Sequence, residues 1–396
     1  MNVQTMRWID RAAGVPLCHV VGRWNRSSAA LRRAPVKKTS DTVVVFKMFG
    51  LGSILLAFPF LEALKKARPS ATIVVVTFAP NRELLERVLL PVHVIALRTS
   101  SFTAFCRDTF QAVLTLRRMK PSEAFDLEFF SKFTTLLSAL SGAPRRHGYG
   151  LAAQWRRLNI TNAVPWRPGV HVADMFLDLL PVDARRPEVV TVALKKPTTA
   201  EHAALSRMLA ANGVDGRRLV AVNVNAGTTS LQRRWPLDRF ASVIADYVDR
   251  NPETAVILTG DTSERPYDEH LFQANRSLTG RAFNYAGRLS LGEFLALIER
   301  VPWLLTNDSA PMHMAASLGT PVVALFGPES PAMYAPLGKS RILYAALPCS
   351  PCLSVYHAKQ FSCPYDALCM RSLDPEDVLD ALTAIEQEQF VRRERA

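Results

Sequence analysis

The chain has 396 residues, with 48 Lys and Arg against 35 Asp and Glu, a formal charge of +13 and 48% hydrophobic residues. That composition excludes a disordered chain, and the length is too great for one ordinary core, so two domains are expected. The basic excess favours anionic partners: nucleic acid, anionic lipid or phosphorylated substrates.

Residues 1–40 hold eight basic side chains (Arg7, Arg11, Arg23, Arg26, Arg32, Arg33, Lys37, Lys38) against Asp10 alone, over half of the excess charge. Without clear periodicity, they read as a solvated, flexible arm or as a contact with an anionic membrane. Met1–Val21 lacks an apolar run long enough for a secretory signal, so a cytoplasmic location is expected. Val43–Leu61 approaches the length of a membrane span, but Lys47, Gly50, Gly52 and Pro59 interrupt it. Strand, glycine turn and helix is the better reading.

From Thr42 the pattern alternates. Strands are expected at Thr42–Phe46, Ala71–Phe78, Val92–Leu97 and Phe125–Phe129, separated by helices. A Pro-, Lys- and Arg-rich linker follows, with Pro187 and Pro197 in it. A second series has strands at Leu219–Asn223, Ala255–Thr259, Trp303–Thr306 and Val322–Phe326. Continuous Val/Ile/Leu runs alternating with helices describe mostly parallel sheets, here two Rossmann-like halves. Ligands of such sheets bind beyond the carboxyl ends of the strands.

The loops there share a character in the second half. They read Ala226-Gly227-Thr228-Thr229 with Arg233-Arg234-Trp235-Pro236, then Gly260-Asp261-Thr262-Ser263-Glu264, then Asn307-Asp308-Ser309-Ala310-Pro311-Met312-His313, then Gly327-Pro328-Glu329. Small residues and hydroxyls before a helix expose backbone N–H groups to phosphate. Arg233 could supply a cation and Glu264 an acceptor for ribose hydroxyls. Each loop alone reads equally as an N-cap. Cys349-x-x-Cys352, Cys363 and Cys369 form a loose tetrahedral set, open to structural zinc, reduced thiols or redox pairing.

Taken in order, these motifs from Asp41 to Leu382 resemble the ADP-heptose:lipopolysaccharide heptosyltransferases, glycosyltransferase family 9. The resemblance implies a GT-B fold, α/β, with two Rossmann-like domains whose mostly parallel sheets face a central cleft. It implies inverting transfer without a catalytic metal or other required cofactor. Thr228, Thr229 and Arg233 would hold the diphosphate, although the family usually has Lys at the Arg233 position. Glu264 would contact the ribose, Asp308 the sugar hydroxyls, and Ser309, Ala310 and His313 the phosphate end. Family members more often carry Gly where Ala310 stands.

One departure matters more. The family places an Asp in the first glycine turn, thought to deprotonate the acceptor hydroxyl; here the turn is Gly50-Leu51-Gly52-Ser53. A serine hydroxyl has too high a pKa for a general base near neutrality. Glu128, expected on the strand Phe125–Phe129, is the replacement candidate, with Asp126 second and a structural role the alternative.

The expected organisation is a basic arm (1–40), an acceptor domain (41–185), a linker (186–199), a nucleotide-sugar domain (200–375) and a terminal helix and tail (376–396). The expected activity moves a sugar, plausibly a heptose, from an ADP-heptose-like donor to an anionic glycolipid or polysaccharide. A peripheral contact at the inner face of the cytoplasmic membrane accompanies that reading, and nucleic acid is not an expected partner. The rival readings are a binding protein that has lost its base and a GT-B-fold sugar-nucleotide epimerase.

Overall fold

The computed structural model describes residue 10 and residues 12–31, 40–150, 154–184, 194–227, 230–354 and 362–394. They belong to two compact units, Met1–Val190 and Thr191–Ala396. The first holds six strands: β1 Thr42–Phe46, β2 Thr72–Phe78, β3 Val92–Leu97, β4 Glu123–Asp126, β5 Arg145–Gly150 and β6 Asn162–Pro165. All pair in parallel, in the order β3-β2-β1-β4-β5-β6. The second repeats the plan with β7 Arg218–Asn223, β8 Thr254–Leu258, β9 Ala282–Asn284, β10 Leu304–Asn307, β11 Val322–Phe326 and β12 Ser340–Tyr344. Their order is β12-β11-β10-β7-β8-β9, again all parallel. Each sheet therefore reverses direction at its first strand, which opens a crevice at the carboxyl ends of β1/β4 and β7/β10.

Strand periodicity explains why both sheets need helices on both faces. On β7, Val220 and Val222 enter one core while Leu219 and Ala221 enter another. Val256 and Leu258 of β8 separate from Ala255 and Ile257 in the same way. Successive side chains point to opposite faces, so a run that is apolar at every position must be covered twice. Helix Leu237–Arg250 and the terminal helix Pro375–Glu394 cover one face of the second sheet; Thr199–Ala211, Leu291–Arg300 and Ala310–Ser317 cover the other.

Val43–Leu61 is β1, a turn and helices, and among the described residues no helix is long and apolar enough to cross a membrane. Strand β4 ends at Asp126, so Glu128 lies in the loop beyond the strand and not on it. β5, β6, β9 and β12 escaped the sequence reading because they are short and carry few β-branched residues.

The flexible-arm expectation fails for part of residues 1–40. Gly14–Leu31 is a helix packed along the helix Lys132–Leu140. Its buried stripe is Gly14, Cys18 and Gly22, small residues at a spacing of four; a Cβ on Gly14 would meet Lys132 at the start of the partner helix, and one on Gly22 would meet Leu158. Asp10 accepts from the N–H of Phe133 at 2.8 Å, where a carboxylate meets the positive end of the partner helix. At the other end the Asn25 amide donates to Ala139 O at 3.1 Å. A search for large apolar residues passes over such a stripe.

A Cβ on Gly22 would lie 2.5 Å from Leu158 Cβ, so Gly22→Val must force the helix outward. The expected cost is about 1–3 kcal/mol. Urea unfolding measures it, and an unchanged midpoint would return these residues to the status of a solvated arm.

Candidate functional site

In the first unit, the turn after β1 is held by one carboxylate oxygen. Glu128 Oε1 accepts from Lys47 Nζ at 2.7 Å, Met48 N at 2.8 Å and Phe49 N at 2.9 Å. Lys47 is buried and also donates to Phe49 O at 2.8 Å. From the far side, Asn81 donates to Met48 O at 2.8 Å. The chain then turns at Gly50, whose φ of 79° favours glycine, and enters the helix Leu51–Leu55 with Ser53 half-buried in it. None of the described residues donates to Glu128 Oε2, and the side chain is 12% exposed.

Asp126 has a different part. It is 1% exposed, pairs with the buried Arg156 at 2.9 Å and accepts from Thr135 Oγ1 at 3.0 Å. Burial pushes its carboxyl up to about 6, against the pull of Arg156. Arg156 also donates to Glu128 O at 2.6 Å and to Phe129 O. The Asp126–Arg156 pair thus shapes the loop that presents Glu128 and does not face an acceptor itself.

In the second unit, the loops after β7 and β10 are clasped together. Arg233 Nη1 donates to Asp308 O at 2.8 Å and to Asp308 Oδ2 at 3.1 Å, while Nη2 reaches Ala226 O. Behind the clasp, buried Asn307 donates to Val224 O at 2.9 Å and Asn225 O at 3.2 Å and accepts from Trp235 N at 2.9 Å. Ser309 is the N-cap of the helix Ala310–Ser317 but makes no side-chain cap, its hydroxyl lying 3.0 Å from Thr306 Oγ1. Pro311 has no N–H and Met312 N donates to Ser309 O at 3.2 Å, which leaves the Ala310 N–H of the first turn for another acceptor. His313 is buried in the same helix.

The loop after β8 is joined to this group by Glu264. Its Oε1 accepts from Gly227 N at 3.2 Å and its Oε2 from Asp261 N at 2.9 Å; burial raises its pKa. Gly260 cannot carry a side chain here, because a Cβ would stand 2.8 Å from Asn225 Nδ2.

The structure thus brings Arg233, Asp308, Ser309, Ala310 and Glu264 to one edge of one sheet, while Thr228 and Thr229 lie outside the described residues. Asn225, Asn307 and Asp268 were missed. The only available sign was the position of both Asn residues at strand ends, where amides commonly tie loops.

The cysteines brace the loop after β11. Cys352 N and Leu353 N donate to Pro328 O at 3.0 and 2.7 Å, and a side chain on Gly327 would collide with Met370. Burial, with Cys352, Cys363 and Cys349 adding to it, pushes the Cys369 thiol up to about 11. Among the described residues no group of three or more His, Cys, Asp or Glu is arranged to hold a metal. Residues 355–361, between Cys352 and Cys363, are outside that description.

Residues 134–360 match the profile of glycosyltransferase family 9 (heptosyltransferase). The chain belongs to this family. It is 35% identical over 106 residues to lipooligosaccharide heptosyltransferase 2 of Haemophilus influenzae, covering 26% of this chain and 30% of that one. Against lipopolysaccharide heptosyltransferase 3 of Escherichia coli it is 24% identical over 305 residues, 74% of this chain and 86% of the relative. The chain spans about a third of the length of the first curated relatives it matches. The solved structure of E. coli ADP-heptose lipopolysaccharide heptosyltransferase II superposes with a TM-score of 0.69 at 20% identity, covering 88% of this chain and 99% of that one. That likeness carries the fold: both six-stranded sheets are those of a GT-B glycosyltransferase of family 9.

One buried acid gives this family-9 site a pH dependence. Asp268 Oδ1 accepts from Asn225 Nδ2 at 2.7 Å, and burial first, with Glu264 adding to it, pushes the carboxyl from 3.8 to about 7. The fold favours the neutral acid, so the stability it contributes is present below 3.8 and lost as pH rises through about 7. Asp268→Asn can keep the bond to Asn225 and has no proton to lose. It should gain on the wild type between about pH 5 and about pH 8 in urea midpoints. A constant difference would show that Asp268 does not titrate in this window.

Proposed function

We propose that this protein transfers a heptose from an ADP-heptose-like donor to an anionic lipopolysaccharide core or related envelope glycan, with inversion. The observation that carries the reading is the Arg233–Asp308 clasp beside the uncapped helix Ala310–Ser317, at the strand-order reversal of the matched region. Fixed N–H groups there would stabilise the leaving diphosphate, the task a metal performs elsewhere. Thr228 and Thr229 would add hydroxyls, Glu264 would face the ribose, and Asp308 the sugar. Arg233 would share its charge between Asp308 and the diphosphate. His313 would line the phosphate end from within its helix.

Asp308→Ala should weaken nucleotide-sugar binding by at least ~1.5 kcal/mol, since it removes a charged hydrogen-bonding group and unfastens Arg233. Calorimetry with ADP-heptose checks this, and unchanged affinity removes the clasp from the donor site. Turnover should survive dialysis against EDTA; a strict requirement for Mg²⁺ would contradict the metal-free reading. Structural zinc on Cys349, Cys352, Cys363 and Cys369 is tested by metal analysis of the protein before it meets EDTA; no bound zinc would remove that reading.

With Ser53 where the resemblance implies Asp, we assign the base to Glu128. Three donors hold Oε1, which leaves Oε2 as the atom to accept the proton of the acceptor hydroxyl. Gly50, Gly52 and Ser53 would shape the turn against which the acceptor lies. The basic segment at residues 1–40 would bring the enzyme to the anionic surface that carries a lipid-anchored acceptor.

Glu128→Gln retains an acceptor for the Lys47 and backbone donors but removes the proton acceptor. It should lower kcat by ~10²- to 10⁴-fold while donor affinity stays as in the wild type. Ser53→Ala should be mild by comparison. Wild-type turnover in the Gln variant clears Glu128 of the role. Absence of turnover in the wild type, with any donor that binds, would instead identify a binding protein without a base.

A further inference from the structure

Three helices of the first unit pack in a row. The central one, Lys132–Leu140, is flanked by Gly14–Leu31 and by Phe102–Met119. All three run in the same direction. Near the central helix's start, Asp10 bonds Phe133 N while the rings of Phe105 and Phe133 stand 5.1 Å apart; at its end, Asn25 and Arg117 donate to Ala139 O and Leu140 O.

Both flanking helices carry apolar side chains on their exposed sides. On Gly14–Leu31 these are Leu17, Val20 and Trp24, the last 74% exposed. On Phe102–Met119 they are Phe102, Phe110 and Leu114, with Phe110 64% exposed. Soluble proteins seldom expose several large apolar groups in one region without a use.

The charge around them has a single sign. Arg23 and Arg26 are exposed on the first helix, and Arg107, Arg117 and Arg118 on the second. Neither helix has an exposed acid, because Asp108, the one carboxylate on the two, is buried and bonded to Arg98 at 2.7 Å. Apolar side chains rimmed by arginines, with a tryptophan among them, match the boundary between anionic headgroups and acyl chains. The apolar groups enter that boundary and the guanidinium groups remain with the phosphates.

We propose that the helices Gly14–Leu31 and Phe102–Met119 form a membrane-docking face that seats the first unit on an anionic lipid bilayer. The proposal gives a specific face to the membrane contact proposed above and rests on it. It differs from binding by a basic arm, because it requires the apolar residues as well as the charges.

Sedimentation of the full-length protein with phosphatidylcholine vesicles, with and without phosphatidylglycerol, tests it separately from transfer, since no donor is needed. The wild type should sediment with the anionic vesicles. The double variant Val20→Asp, Phe110→Asp should lose at least ~10-fold in vesicle affinity. Arg23→Gln with Arg107→Gln should lose binding most at low salt. Phe390→Asp, an exposed apolar site on the terminal helix of the other unit, should bind as the wild type does. All these positions are exposed, and unchanged thermal melting would show that the folds are intact. Equal vesicle binding by wild type and the Val20/Phe110 variant overturns the proposal, as does a wild type that ignores anionic vesicles. A change of oligomeric state in that variant with vesicle binding retained also overturns it, and makes the face a contact between copies.

Discussion

The side-chain amide of Asn307 is the point on which the loops at the carboxyl edge of the second sheet depend. It is fully buried and makes three hydrogen bonds, to the carbonyls of Val224 and Asn225 and from the N–H of Trp235. Parallel strands end abruptly, and backbone groups that leave a sheet beneath a site need partners away from water. One amide supplies them for two loops at once. That makes the neighbouring Asp308 a fixed carboxylate, which can receive Arg233 from the far side of the crevice.

The first unit meets the same requirement with ionic chemistry. The turn after β1 carries its N–H groups to one oxygen of Glu128, and buried Lys47 compensates the charge. Beneath it, Asp126 and Arg156 form a fully buried pair whose spare donors hold Glu128 O and Phe129 O. Buried pairs of this kind contribute little net stability; their effect is to impose one geometry on the groups they bond. The result is a carboxylate with one oxygen committed to holding the turn, and the other is the atom to which the proposed base role is assigned.

The second core of the donor half also reaches the site. Cys369 and Met370 pack so closely on Gly327 that a Cβ there would displace the Met370 side chain, and Pro328 O accepts from Cys352 N and Leu353 N. The cysteine segment thus holds the loop after β11 in place by packing and backbone bonds among the described residues.

Much of this was determined by the sequence itself. Val/Ile runs at β1, β2, β7, β8 and β11, interrupted by glycine turns, specify parallel strands and the loops at their ends, because β-branched packing and positive-φ turns are local signals. The motif spacing from Thr228 to His313 also carries the resemblance to the family. Only the tertiary structure decided the rest. The helix Gly14–Leu31 depends on a Gly14, Cys18, Gly22 stripe that meets Lys132 and Leu158, residues distant in sequence, and has no meaning without them. Glu128 is seventy-five residues from Ser53, and its three donors come from the turn after β1, so its role exists only once β1 and β4 are neighbours. Asp268 acquires its raised pKa from burial, with Glu264 adding to it, against the lowering effect of the hydrogen bond from Asn225. Desolvation and long-range hydrogen bonding are properties of position in space, and sequence order does not carry them.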